Sequence, residues 1–197
     1  MNKRQFLTAT ALAAGVLPIT RANAAPAAAG PVLLTVSGAI ANSNRGPLDP
    51  ALDQMMAKHH IEFTKAWTFD AAALSRLPAV TIKPTLEYDA RPHTLKGPTL
   101  EAVLQAAGVA PDAKVMLGLR AVDGYNVMVS LADARRYRMI VATRIDGHFM
   151  ALGSLGPQWA VYDADRLPDF KDKPLKERFG LCPWGLYHVD VKAVKAA

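Results

Sequence analysis

The feature that most constrains the fold of this sequence is a pair of alternating segments joined by Asp123-Gly124. Every second residue on either side of this dipeptide is apolar: Val115, Leu117, Leu119 and Ala121, then Tyr125, Val127, Val129 and Leu131. Alternation places such residues on one face of a strand, and Asp-Gly favours a tight turn. The pattern therefore predicts an antiparallel hairpin with one buried face.

Three other segments are typical of short helices. Asp49 is a candidate N-cap for a helix predicted over Pro50–Lys58, with proline in the first turn. Asp70 is expected to cap a second helix, which Pro78 ends. The clearest helix is Thr99–Ala107, because its apolar residues recur at helical spacing.

The remaining apolar segments are short enough to be strands. They are Val32–Ile40, Val80–Leu86, Met139–Arg144, His148–Leu152, Trp159–Tyr162 and Leu186–Val191. Asp146-Gly147 predicts a second hairpin, and the charged Leu167–Arg178 segment predicts a loop. These elements indicate one strand-rich α+β domain, with a mixed, largely antiparallel sheet and a few short helices.

The N-terminal segment has the organisation of a signal peptide, which we assign to residues 1–24. Lys3-Arg4 precedes an apolar stretch, and Ala22-Asn23-Ala24 is a small-x-small cleavage site. A membrane anchor is the alternative, but the stretch is shorter than the roughly 20 apolar residues of a spanning helix. Residues 25–31 are then a tether, and residues 32–197 form the domain.

The first charged residues also leave the export route open. Lys3-Arg4-Gln5-Phe6-Leu7 is similar to the twin-arginine motif of folded, cofactor-loaded proteins, with Lys in the first arginine position. Ordinary secretion is the other route. Either one predicts a periplasmic protein.

Composition narrows the classes of function and the sources of stability. Hydrophobic residues make up 51% of the chain, which is enough for a core. Part of the formal charge of +6 belongs to the predicted signal peptide, and no basic cluster is interleaved with aromatic residues. A nucleic-acid partner is therefore not expected. Cys182 is the only cysteine, so no internal disulfide can form.

The order of several short motifs resembles a known family. They are Gly38 at a strand end, Phe69-Asp70 before a helix ending at Leu77-Pro78, Lys96-Gly97-Pro98-Thr99-Leu100, Ala107-Gly108-Val109, Ala121-Val122-Asp123-Gly124-Tyr125, Asp146-Gly147, Gly156–Tyr162 and Trp184-Gly185-Leu186. This order resembles the oxidoreductase molybdopterin-binding domain, the sulfite-oxidase fold, in its small stand-alone exported form. The resemblance extends over roughly residues 32–191.

Two departures from the family pattern bear on its chemistry. The catalytic family has a molybdenum-ligating cysteine where this chain has Lys83–Glu87, which contains no sulfur. Thiolate is the soft ligand that such a metal needs, and Thr or Glu does not replace it. The family's Trp-Gln-Leu is Trp184-Gly185-Leu186 here, so one amide is missing. We therefore expect no metal.

The resemblance implies a site for a pterin or a molybdopterin-type ligand. Its candidate residues are Trp184, Trp159, Tyr125 and Arg144, with Gly156 shaping a turn beside the ligand. Flat polar heterocycles need aromatic or guanidinium faces and fixed polar groups. Core packing is the alternative for Trp159, and a solvated strand end is the alternative for Arg144.

The titratable residues leave one question open. Cys182 can be a buried hydrophobe, a displaced metal ligand or a reactive thiol, and burial is the commonest state of a free cysteine. His59 and His60 are adjacent and point in different directions, so they do not predict a metal site.

Three functions follow as hypotheses. The first is an exported pterin-binding regulator, not an enzyme, which contacts the periplasmic domain of a membrane-bound cyclic-di-GMP enzyme, as some small family members do. The second is a molybdopterin-dependent oxidoreductase with Cys182 as an unusual ligand. The third is a protein-interaction module with a vestigial pocket.

Overall fold

The structure is a computed structural model that describes residues 30–194. The predicted signal peptide (1–24) and most of the predicted tether (25–31) lie outside the described residues. The strands are β1 (Leu34–Gly38), β2 (Ala66–Phe69), β3 (Ala79–Ile82), β4 (Leu95–Pro98), β5 (Val115–Ala121), β6 (Asn126–Ser130), β7 (Ile140–Ala142), β8 (Arg144–Ile145), β9 (His148–Phe149), β10 (Trp159–Val161) and β11 (Leu186–Ala193). The helices are α1 (Gln54–Lys58), α2 (Ala71–Arg76), α3 (Leu100–Ala106) and α4 (Leu131–Arg136), with 3₁₀ turns at Ala164–Arg166 and Leu175–Glu177.

Three sheets organise these strands. The largest has the order β2-β1-β11-β5-β6, and within it β1 and β11 are parallel while the other pairs are antiparallel. A four-stranded sheet has the order β3-β4-β8-β9, and β10 pairs with β7. The predicted α+β class with a mixed, largely antiparallel sheet and short helices is confirmed.

The Asp123-Gly124 hairpin forms as predicted. β5 pairs with β6, Leu119 lies opposite Val127, and Gly124 has a φ of 91°. The second strand ends earlier than the alternation predicts, because the Ser130 side chain accepts a hydrogen bond from the Asp133 amide and caps α4. Leu131 is therefore a helix residue, still buried at 2% exposure.

Cap chemistry determines where the helices begin. The Asp70 carboxylate accepts from the Ala73 amide at 2.6 Å, which confirms the predicted start of α2. Thr99 caps α3 through the Ala102 amide at 3.1 Å. The first helix is shorter than predicted: α1 begins at Gln54, because Asp49 caps a separate turn before it.

The second hairpin is smaller than predicted. The apolar segment expected over Met139–Arg144 divides at Thr143, whose amide donates to the Lys96 carbonyl at 2.9 Å. Its first half pairs with β10, and only its end forms the β8–β9 hairpin across Asp146-Gly147. β2 was not predicted. It forms the edge of the large sheet by pairing with β1.

One core joins the sheets. The inner face of the large sheet contributes Leu34, Val36, Leu117, Leu119 and Val189, all completely buried. The helix α3 and the β7–β10 pair pack on the same core through Leu100, Val141 and Ala160. Within residues 30–194, no helix is both long enough and apolar enough to span a membrane.

Candidate functional site

Trp184 lies at the surface, in a turn that two backbone hydrogen bonds of the next residue hold in place. Trp184 is 37% exposed. The next residue, Gly185, receives the Val122 amide at 3.0 Å and donates to the Leu155 carbonyl at 3.3 Å. Gly185 has a φ of 59°, and a Cβ there would be 3.1 Å from Val122. This left-handed backbone conformation favours glycine at position 185.

Tyr88 lies beside Trp184, although 95 positions separate them in the chain. Partial burial, with the neighbouring Glu87 carboxylate, raises the pKa of Tyr88 to about 12, and the Trp184 side chain acts on the same hydroxyl in the opposite direction. The Tyr88 ring is still half-exposed. The loop after β3 therefore presents an aromatic ring that the sequence did not predict as a site residue.

Tyr125 reaches the same turn from the β5–β6 hairpin. Its hydroxyl donates to the Gly180 carbonyl at 2.8 Å, and the residue is 49% exposed. Tyr88, Tyr125 and Trp184 thus converge on the segment of residues 180–184, and we name these three residues the aromatic surface. Exposed rings that are tethered in this way offer faces to a flat heterocycle.

Cys182 is beneath this surface, not on it. The residue is 4% exposed. Burial raises the pKa of the Cys182 thiol to about 12; Tyr162 opposes that rise and the Glu87 carboxylate adds to it. The thiol is therefore protonated at neutral pH. The Glu87 carboxylate, in the loop after β3, is one of the charges that act on this thiol.

Trp159 supports the turn from the interior. It is 1% exposed, its Nε1 donates to the Cys182 carbonyl at 2.8 Å, and its ring lies 5.9 Å from that of Phe179. An isolated bridge pairs its backbone with that of Trp184. The core-packing alternative describes this position, so the Trp159 ring presents no face to a ligand in this structure.

Gly156 and Arg144 occupy the neighbouring loops. A Cβ on Gly156 would be 2.5 Å from the Met150 carbonyl oxygen, so only glycine fits. The Arg144 guanidinium lies 3.6 Å from the centre of the Phe149 ring and donates to the Gly147 carbonyl at 3.2 Å. Arg144 is thus held inside its own hairpin, while the Gly156 carbonyl lies beside Gly185.

His93 joins two of these loops and was not predicted to act. Its Nδ1 is 2.6 Å from Asp146 and its Nε2 is 2.9 Å from Asp89. The hydrogen bond to Asp146, and to a smaller extent the one to Asp89, raises the pKa of His93. The spacing of Asp89 and His93 was the available sequence signal. This bridge fixes the Tyr88 loop to the β8–β9 hairpin.

The donor atoms near the aromatic surface fit a heterocycle better than molybdenum. The segment Lys83–Glu87 has oxygen and nitrogen donors only, and the Cys182 thiol is buried and protonated. Among residues 30–194, no group of three or more His, Cys, Asp or Glu side chains is placed to hold a metal ion. Four cavities lie within residues 30–194, and none of the four is lined by a residue of the aromatic surface.

Comparison with known proteins supports the fold. The sulfane dehydrogenase SoxCD from Paracoccus pantotrophus superposes with a TM-score of 0.52 and 12% sequence identity, over 82% of this chain and 38% of the other. The likeness shows a shared fold. At this identity the likeness concerns the fold alone, and it agrees with the sulfite-oxidase-like fold that the motif order predicted. This chain spans less than half the length of that chain. No family model and no curated protein matches the sequence.

Proposed function

We propose that this protein binds a pterin or a molybdopterin-type ligand at the aromatic surface and holds no molybdenum in the ordinary manner. The observation that supports this most is that no accessible cysteine thiolate lies at the site within the described residues. The metal-ligating position has no sulfur, and Cys182 is buried with its pKa raised to about 12. A soft metal requires an accessible thiolate, whereas a heterocycle requires only ring faces and polar edges.

The chain's own groups define how such a ligand would be held. The Trp184 and Tyr88 rings are the exposed faces, and Tyr125 fixes the turn through Gly180. The Arg144 guanidinium is engaged by Phe149 and the Gly147 carbonyl in its own hairpin, so we assign it no contact with the ligand. When a molybdopterin is bound, it supplies its dithiolene and pterin chemistry; in our proposal, residues of this chain bind and orient the ring.

A titration with pterins in the oxidised, dihydro and tetrahydro states tests this proposal. We expect at least one redox state to raise the melting midpoint, since a ligand of the folded state stabilises it. Trp184→Ala should abolish that shift and Trp184→Phe should retain most of it. Leu152→Ala, at a residue 70% exposed, is the matched surface control. The absence of a shift with every pterin contradicts the proposal.

The signalling role extends the same proposal. An exported pterin-binding protein without redox chemistry can report ligand state to a membrane protein, and we propose the periplasmic domain of a membrane-bound cyclic-di-GMP enzyme as the partner. Binding of the purified protein to that domain should depend on the pterin that raises the melting midpoint. Equal binding with and without pterin, and with Trp184→Ala, would favour a simple interaction module.

A molybdopterin-dependent oxidoreductase is the second candidate, and one observation favours it. The Glu87 carboxylate, in the segment of the missing ligand, is one of the charges that act on the Cys182 thiol. Elemental analysis of protein from a molybdopterin-competent host decides between the candidates. About one molybdenum per chain, lost in Cys182→Ser, would replace the first proposal with this one.

A further inference from the structure

The outer face of the large sheet carries a polar cluster that the proposed pterin site does not use. Strand register arranges it in two rows. Thr35, His188, Arg120 and Asn126 form one row across β1, β11, β5 and β6, and Ser37, Asp190, Gly118 and Met128 form the next. Directly opposed side chains lie about 5 Å apart. A sheet face with buried polar groups needs a reason, since burial of such groups is costly.

Buried polar side chains form the base of this cluster. Ser37 is 1% exposed and His188 is 2% exposed, and the Ser37 hydroxyl lies 2.9 Å from His188 Nε2. That contact engages one ring nitrogen, so Nδ1 is the nitrogen left for a ligand. Burial, with the Arg120 charge, lowers the pKa of His188 to about 4, so the ring is neutral at physiological pH.

A cavity of about 250 Å³ opens over these rows. Its charged and polar walls include Glu62, Arg120, Asn126, His188, Asp190 and Lys192. Gly118 leaves the cavity open, because it lies between Asp190 and Met128 without a side chain. A Cβ there would meet its neighbours at 3.4 to 3.6 Å, which is ordinary contact. The lack of a side chain at this position is therefore not forced by close packing.

Arg120 has unused hydrogen-bonding capacity. Its guanidinium donates one long bond, 3.5 Å, to the Gly124 carbonyl. No carboxylate of residues 30–194 forms an ion pair with it, whereas Lys192 and Asp190 pair at 3.4 Å. The half-buried guanidinium has five N–H donors, and the Gly124 carbonyl is a distant partner for one of them. Such a group is suited to a ligand carboxylate, which it can bind in a bidentate manner.

We propose that this cavity binds a small zwitterion of the amino-acid type. The carboxylate of the ligand would lie against Arg120 and Asn126, and its ammonium group against Asp190 and Glu62. Two cationic and two anionic side chains line the cavity, so a molecule that carries both charges fits it best. Asp190 would repel a simple anion, and Arg120 would repel a simple cation. The cavity volume suits a molecule of this size.

Isothermal titration of the purified protein with the proteinogenic L-amino acids tests the proposal, with acetate and methylammonium as single-charge probes. We expect at least one amino acid to bind with a Kd below about 1 mM and a stoichiometry near one, and neither single-charge probe to match it. Arg120→Gln should weaken that binding at least about tenfold, and Gly118→Leu should block it by filling the cavity. Arg166→Gln, at a side chain 84% exposed, is the control and should bind normally.

A melting curve of each variant shows whether it folds. If Arg120→Gln does not fold, Asn126→Ala replaces it, with a smaller loss of affinity expected because only an amide contact to the ligand carboxylate is removed. Three results overturn the proposal: no amino acid binds, acetate alone reproduces the affinity, or folded Arg120→Gln and Gly118→Leu bind as well as the parent. Because pterin binding is measured separately at Trp184, failure here leaves the pterin proposal unaffected.

Discussion

Acid should destabilise this protein through one buried histidine. His188 is 2% exposed, and burial lowers its pKa from 6.5 to about 4. The unfolded chain therefore binds a proton between these two values, while the folded chain does not. Stability contributed by the neutral ring is complete above about pH 6.5 and is lost as the pH falls towards 4. A gap of this size corresponds to about 3 kcal/mol, at roughly 1.4 kcal/mol for each pKa unit.

The assay is urea unfolding at a series of pH values for the parent and for His188→Gln. Glutamine keeps a polar group near Ser37 and cannot titrate. The carboxylates titrate in both proteins, so the difference between their free energies of unfolding isolates His188. We expect the parent to lose about 3 kcal/mol more than the variant between pH 7 and pH 4. His93, whose pKa is raised, acts in the opposite direction and is common to both. Parallel curves for the two proteins would refute the reasoning.

Three further predictions concern packing and thiol chemistry. Trp159→Ala should lower the free energy of unfolding in urea by about 3 to 5 kcal/mol, because Trp159 is 1% exposed. Trp184→Ala should lower it by less than about 1 kcal/mol. Equal losses would contradict the assignment of Trp159 to the core and Trp184 to the surface. Gly97→Ala should lower the free energy of unfolding by about 3 kcal/mol, since a Cβ there would be 1.9 Å from the Val141 carbonyl oxygen. Gly46→Ala meets nothing within 4 Å and should leave the free energy of unfolding nearly unchanged. Cys182 should resist a thiol reagent at pH 8 in the folded state and react in urea, because burial raises its pKa to about 12; fast labelling without denaturant would show an accessible thiolate.

Local patterns predicted much of the fold. The hairpin over residues 115–130 follows from alternation and Asp123-Gly124, and α2 and α3 follow from their cap residues, because each depends on atoms a few residues apart. The error at Leu131 has the same origin. An apolar residue there satisfies both the strand alternation and the buried face of α4, and only the Ser130 cap decides for the helix.

The site was harder to predict because it is assembled from distant segments. Trp184 and Tyr125 were identified from motif order, but Tyr88 joins them only through the path of the loop after β3. His93 is an isolated histidine in the sequence, and its bridge between Asp89 and Asp146 depends on the β4–β8 pairing. Periodicity contains no information about such contacts, since they join elements whose register is set by the whole core.

The surroundings of Cys182 indicate how the protein's own groups order the turn beneath the aromatic surface. Two polar groups beneath the aromatic surface have partners within the protein: the Trp159 N–H donates to the Cys182 carbonyl, and the Tyr162 hydroxyl donates to the Arg178 carbonyl at 2.8 Å. Asp165 receives the Thr85 amide at 2.7 Å and pairs with Arg178 at 2.8 Å, which fixes the start of the Tyr88 loop. A preformed site of this kind does not need a metal to order it. Hydrogen bonds within the protein therefore order the framework that presents the aromatic surface.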